Sequence, residues 1–244
     1  MKEFPINIKP FGQRAVLVEW PNEVNESILN DILRFVDCFQ QLGLPGWEMS
    51  IAYNSLTMVS AMEDIDFDLI AEQIKACHNE DGSQQLSKER YLWKIPVCYD
   101  AEFGLDLNET AQTLALSVDE LIVQHTSFQY TVFGIGFLPG FMYLGGLPSK
   151  LEIPRRKEPR LHVARGSVGL AGKQTGIYPQ DSPGGWNIIG SSPIPIFNPA
   201  SEKPCFVSVG DKIQFTQISR AEYDLKRIEA EVGILRPEKH KLDA

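Results

Sequence analysis

The sequence of 244 residues has few cysteines, few histidines and no long apolar run. Its four cysteines, Cys38, Cys77, Cys98 and Cys205, lie far apart and form no Cys-x-x-Cys pair. That excludes a disulfide scaffold, and it is the cysteine usage of a reduced, cytoplasmic protein whose thiols serve as small buried hydrophobes. His78, His125, His162 and His240 make no His-x-x-x-His pair and no Cys/His cluster, so no metal site is expected. No stretch approaches the roughly 18 apolar residues that span a bilayer. The segment Met1-Lys2-Glu3-Phe4-Pro5-Ile6-Asn7 lacks the apolar core and cleavage site of a secretory signal. A basic excess is missing too: 23 Lys and Arg stand against 32 Asp and Glu, a net charge of −9. Nucleic-acid-binding chains usually show the opposite balance, so neither nucleic acid nor membrane is an expected partner. What is present, 43% hydrophobic and 23% charged residues, is the composition of a globular chain of one or two domains.

The first 80 residues read as a small α/β domain. Ile6 to Phe11 and Ala15 to Trp20 are strand candidates around Gly12. Val24 to Phe39 has helical spacing, with Ile28, Leu29, Ile32, Leu33 and Val36 on one face. Trp47 to Tyr53 and Thr57 to Ser60 read as a strand pair. Ile65 to His78 reads as a second helix with Leu69, Ile70, Ile74 and Cys77 on its apolar face. Two helices and about four strands predict a ferredoxin-like two-layer sandwich, an α+β architecture. Residues 81–89 begin polar and aperiodic and are expected to be a linker; proteolysis should cut first between Asp81 and Lys88.

Residues 90–244 form the expected second domain. Tyr91 to Tyr99 is strand-like. Two short helices follow, each opened by a capping-box pattern, Asp106 with Glu109 and Ser117 with Glu120, the second ending near His125. From Ser127 to Ala200 the chain holds 12 of its 19 glycines and 9 of its 16 prolines. That density leaves little room for long helices and predicts short strands with many turns, as in a closed β-barrel. A strand over Ile213 to Ile218 and a helix starting at Ser219-Arg220-Ala221-Glu222 complete the chain.

The same window inverts the charge, with seven Lys or Arg against three acids. Arg155, Arg156 and Arg160, near Gln174 and Tyr178, are candidate ligands for a small anionic substrate, because guanidinium groups bind carboxylate and phosphate in bidentate geometry. The alternative is that Arg155-Arg156-Lys157 is a solvated turn packed on acids of the other domain. Trp186, after Ser182-Pro183-Gly184-Gly185, is either a pocket wall or core. The other aromatics of the window, Phe137, Phe141 and Tyr143, read as core. His125 is a candidate acid or base, or a donor to the last carbonyls of its helix. Ser167 to Gln174 is a near miss to a P-loop: Ser167 stands at its first glycine and Gln174 at its Mg²⁺-binding hydroxyl.

The block Phe137-Leu138-Pro139-Gly140-Phe141-Met142-Tyr143-Leu144-Gly145-Gly146-Leu147-Pro148 resembles the KipI / allophanate hydrolase subunit 1 family, which includes the B-type subunits of bacterial 5-oxoprolinases. The resemblance runs on through Pro154 to Arg160, Gly166 to Pro179, Ser182 to Gly190 and Gly210-Asp211. Shorter matches lie at Phe11 to Ala15 and Asn54 to Thr57. It implies a cyclophilin-like β-barrel behind the small domain. It also implies one component of an ATP-dependent 5-oxoprolinase, inactive alone. ATP would be accompanied by Mg²⁺. The implied partners are a C-type subunit of homologous fold, of allophanate hydrolase subunit 2 type, and an A-type subunit of the LamB/YcsF type. The family also holds regulators that inhibit a sensor histidine kinase, and urea or allophanate pathway components. The blocks Phe137 to Leu147 and Ser182 to Gly190 are the expected partner-facing surfaces. Two positions depart from the family pattern, Arg165 where alanine is usual and Ser191 where a basic residue is usual, and both move charge within the implied pocket.

Overall fold

The computed structural model describes residues 4–62, 64–80 and 89–242. They fall into two compact units, one within residues 1–89 and the other Arg90–Leu242. The expected cleavage segment, Asp81 to Lys88, lies outside the described residues.

The first unit contains β1 (Asn7–Pro10), β2 (Ala15–Glu19), α1 (Glu26–Gln41), β3 (Trp47–Ala52), β4 (Ser55–Ser60) and α2 (Phe67–Asn79). Its strands pair antiparallel in the order β1-β2-β4-β3. Alternation puts Val16 and Val18 of β2 and Leu56 and Met58 of β4 in one core with Ile28, Ile32, Phe35 and Phe39 of α1 and Ile70 and Ile74 of α2. The first helix starts two residues later than its periodicity predicts. The Asn25 side chain accepts from the Ser27 amide and fixes the N-cap there, leaving Val24 outside. Leu69, expected on the apolar face of α2, is exposed; His78 is buried instead.

The second unit contains β5 (Tyr91–Val97), α3 (Leu107–Thr113), α4 (Val118–Thr126), β6 (Gln129–Ile135), β7 (Met142–Gly145), a 3-10 turn at Ser149–Leu151, β8 (Arg160–Val163), β9 (Ser167–Ala171), β10 (Gln174–Ile177), β11 (Ser182–Gly184), β12 (Asn187–Ser191), β13 (Lys212–Gln217), α5 (Arg220–Glu231) and β14 (Glu238–Lys241). A large sheet runs β5-β13-β6-β7-β10-β9-β12, antiparallel except for the parallel pair β5 and β13, with β14 added on β5. Helices α3 and α4 cover its core, and β8 pairs with β11 in a small separate sheet. The capping boxes at Ser117/Glu120 and Ser219/Glu222 both form.

The closed barrel expected from composition is corrected here. Among the described residues, only the isolated bridge Cys98 with Ser191 joins the ends of the sheet, so no continuous strand ladder closes it. The ladder cannot extend on either side. Pro193 has no N–H to donate, and Asp100 accepts from the amides of Phe103 and Gly104 in a turn.

The turn between β8 and β9 depends on Gly166. Its φ is +84°, and a Cβ there would overlap the Ser192 carbonyl oxygen. Its amide donates to Tyr178 O at 2.8 Å, and Ser192 N donates to its carbonyl at 2.8 Å. Gly166→Ala is expected to destabilise the second unit by about 2–4 kcal/mol, combining left-handed strain with that overlap. A urea midpoint within error of the wild type would remove this constraint.

Candidate functional site

The site region lies on the face of the β9, β10 and β12 sheet opposite the main core. Gly169 and Gly176 lack side chains where Trp186 packs; a Cβ at Gly169 would sit 3.1 Å from the Trp186 Cβ, and one at Gly176 3.0 Å from its ring. Trp186 and Tyr178 are therefore buried, at 5% and 1% exposure, around the Phe141 ring. Phe141 meets Trp186, Tyr178 and Tyr143 edge-on, with centroids 5.3, 5.4 and 5.1 Å apart. These rings form a cluster of their own, separate from the main core. Burial pushes the Tyr178 hydroxyl pKa up, against the opposing effects of the Trp186 amide and of Arg155 and Arg160 nearby. Gln174, half-buried on β10, shares its face with Gly176. Phe137 stands out at 68% exposure, with a φ of +67° that a non-glycine residue rarely adopts.

Two of the three candidate anion-binding arginines are already occupied. Asp106 was expected to cap α3 but makes no capping hydrogen bond. Its carboxylate, 1% exposed, accepts from Arg156 Nη1 at 2.6 Å, from Arg160 Nη1 and Nη2 at 2.8 and 2.6 Å, and from the Ile188 amide at 2.7 Å. Arg156 also reaches Glu109 at 3.2 Å, the main cause holding its guanidinium more firmly charged, with Asp106 adding to it. Only its Nε is buried without a partner. Arg156 and Arg160 pack on acids of their own unit, Asp106 and Glu109, and not on acids of the other domain as the alternative reading had it. Arg155 alone is exposed and has no hydrogen bond or ion pair among the described residues. Sequence reasoning missed Asp106 because its partners lie 50 and 54 residues downstream.

His125 is corrected as a candidate acid or base. It is fully buried, with Nδ1 2.7 Å from the Tyr99 hydroxyl, Nε2 2.9 Å from Thr175 Oγ1, and its ring stacked 4.5 Å from Phe215. Burial drops its pKa to about 3. Both ring nitrogens are spent inside the core, so it meets neither solvent nor the last carbonyls of α4. The near P-loop is a β-hairpin, with Gly172 and Lys173 turning β9 into β10 rather than opening a helix. Among the described residues no group of three or more His, Cys, Asp or Glu could hold a metal. Of the expected partner-facing blocks, Phe137 and Pro139 are exposed, whereas Trp186 to Gly190 is buried.

Residues 6–207 match the family described as carboxyltransferase domain, subdomain C and D. The chain belongs to this family. A Bacillus subtilis protein named as the B subunit of 5-oxoprolinase is 34% identical over 88% of this chain and 94% of its own length. Its namesake in Haemophilus influenzae is 45% identical over 86% and 97%. Among solved structures, TTHA0988 superposes with a TM-score of 0.73 at 31% identity, covering 84% of this chain; the match spans 40% of that longer chain. The K. lactis urea amidolyase gives 0.81 at 18% identity over 97% of this chain and 16% of its own, a likeness of fold. The family resemblance carried by residues 137–190 is thus borne out. No helix among the described residues is long and apolar enough to cross a membrane.

Proposed function

We propose that this carboxyltransferase C/D-family chain is the B-type subunit of a 5-oxoprolinase complex that opens 5-oxo-L-proline to L-glutamate with ATP. The observation that carries it is the 34–45% identity, over most of both chains, to proteins named as the B subunit of 5-oxoprolinase. In this reading the first unit is a ferredoxin-like sandwich with β1 in the place of the last strand. The second is a cyclophilin-like sheet. The complex is cytoplasmic and includes a C-type subunit of homologous fold and an A-type subunit of the LamB/YcsF type. Amide resonance makes the lactam resistant to hydrolysis; ATP, with Mg²⁺ on its phosphates, would phosphorylate the lactam oxygen and make the ring carbon electrophilic, so that water adds there, the ring C–N bond breaks with a proton going to nitrogen, and phosphate is released. The free guanidinium of Arg155 is placed to meet anionic charge. Arg156 and Arg160 shape the site by holding Asp106 rather than by touching substrate.

The exposed Phe137 offers apolar surface for positioning, and positioning is supplied jointly with the partners. Co-expression with subunits of the A and C types, followed by measurement of 5-oxoproline-dependent ADP release and glutamate formation, tests this. Turnover is expected from the assembled complex and none from the purified chain. A stable complex without 5-oxoproline-dependent turnover overturns the reading. The urea amidolyase likeness, at 18% identity, carries fold and not chemistry.

A further inference from the structure

The second unit has a cleft of about 530 Å³ whose lining shares no residue with the aromatic cluster or the Asp106 clamp. One wall is the 192–199 segment and the other is α5. Its volume is within the usual range for small-molecule sites. Phe197, Pro193 and Pro195 supply apolar wall, and Arg165, Arg227 and Glu231 line the cleft as its charged groups.

The charge is unbalanced in a specific way. Arg227 Nη1 lies 3.2 Å from Glu231 on the next helical turn, so those two charges answer each other. Arg165 is different. Its backbone amide donates to Asp181 Oδ1 at 2.7 Å, and the adjoining Gly166 is pinned against Ser192 and Tyr178. The other Asp181 oxygen faces His162 Nε2 at 3.1 Å. The backbone of Arg165 is therefore fixed, while its guanidinium has no hydrogen bond or ion pair among the described residues. Asp181 is near enough for Arg165 to help hold its carboxyl low, after the Arg165 amide and His162, but it does not engage the guanidinium directly. The lip contributes acceptors more than donors, because Pro193, Pro195 and Pro199 have no N–H.

We propose that this cleft binds a small organic monocarboxylate, with its carboxylate on Arg165, its apolar body on Phe197 and Pro195, and an N–H facing the proline-rich lip. One guanidinium that no carboxylate engages directly suits one negative charge; a second would face Glu231. The choice of ligand rests on the 5-oxoprolinase reading, in which 5-oxoproline, a monocarboxylate with a ring N–H, fills the cleft. Arg165 then acts as a specificity-determining residue that replaces the alanine usual at its position.

The test has two arms. In the first, ¹⁵N-labelled full-length chain is titrated with 5-oxoproline, with glutamate and inorganic phosphate as comparison probes. Saturable shifts are expected at the Gly166 and Ser192 amides and at Arg165 Nε–H. Arg165→Ala is expected to weaken binding roughly tenfold or more, Arg165→Lys to retain part of it, and Lys75→Ala in the other unit to leave it unchanged. In the second arm, the assembled complex carrying Arg165→Ala is expected to show a raised KM for 5-oxoproline with kcat and the KM for ATP little changed. Absence of 5-oxoproline binding, equal binding by the alanine variant, or tighter binding of phosphate overturns the cleft assignment. Turnover with unchanged KM in the variant overturns it while leaving the 5-oxoprolinase reading intact. Arg165-dependent binding alongside a complex that never turns over 5-oxoproline overturns the reading and leaves the monocarboxylate cleft.

Discussion

Replacing Asp106 with alanine is expected to cost the second unit about 3–5 kcal/mol, the cost of removing one partner from a buried ion cluster. The carboxylate joins three parts of the chain: the start of α3, the Arg156–Arg160 run leading into β8, and the Ile188 amide of β12. Without it, two partly buried guanidinium groups and one amide lose their acceptor, while Glu109 offers only a single contact at 3.2 Å. The melting temperature should fall on the order of 10 °C. Glu109→Ala provides the contrast. Its carboxylate is mostly exposed, so the loss should stay below about 1 kcal/mol. Charge reversal at Arg156 is expected to lower stability as well, since a carboxylate there would face both Asp106 and Glu109. If Asp106→Ala melts within a degree or two of the wild type, the carboxylate is not the clamp described.

The second large effect is an acid dependence set by His125. Its pKa is about 3 in the folded protein because burial penalises the imidazolium, against an ordinary value near 6.5 in the unfolded chain. Between those two values the unfolded chain binds a proton that the folded one does not. Stability is therefore full above about pH 6.5, falls as pH drops below it, and goes on falling to about pH 3, by on the order of 5 kcal/mol from this group alone. Amide hydrogen exchange in β6 and β13, followed from pH 7.5 to 4.5, should report this slope. His125→Gln, which keeps hydrogen-bonding groups near Tyr99 and Thr175 but cannot titrate, should be less stable at pH 7.5 and flatter with pH. Parallel pH profiles in the two proteins would show that the imidazole is not held neutral.

Asp106 and His125 also mark where the sequence stopped being legible. Local grammar read well. Ser117/Glu120 and Ser219/Glu222 cap their helices as spelled, because a capping box is closed within four residues. Asp106/Glu109 has nearly the same spelling and does not cap, because arginines brought in by the tertiary fold compete for the carboxylate. The run Arg155 to Arg160 was visible as charge, but whether a guanidinium faces ligand or its own acid depends on a residue 50 and 54 positions away. The glycines of the 127–200 window did predict short strands. They could not reveal that Gly169 and Gly176 clear space for the Trp186 side chain, since that contact crosses strands. The seam of the sheet was equally hidden, because it hangs on one bridge between residues 93 positions apart, Cys98 and Ser191.

The parallel pairing of β5 with β13 has a consequence in time. Leu92 meets Lys212 across the strand pair, and the Tyr91 amide finds its acceptor on Asp211, 120 residues later. During synthesis β5 emerges early and must wait, with both edges bare, until nearly the whole chain has been made, because β13 and β14 both come late. Closing so long a loop is entropically expensive, and contacts of high sequence separation slow folding. The nascent second unit thus depends on protection of an apolar strand edge until β13 arrives, and a ribosome-stalled chain ending before Lys212 should expose that edge as an aggregation-prone species.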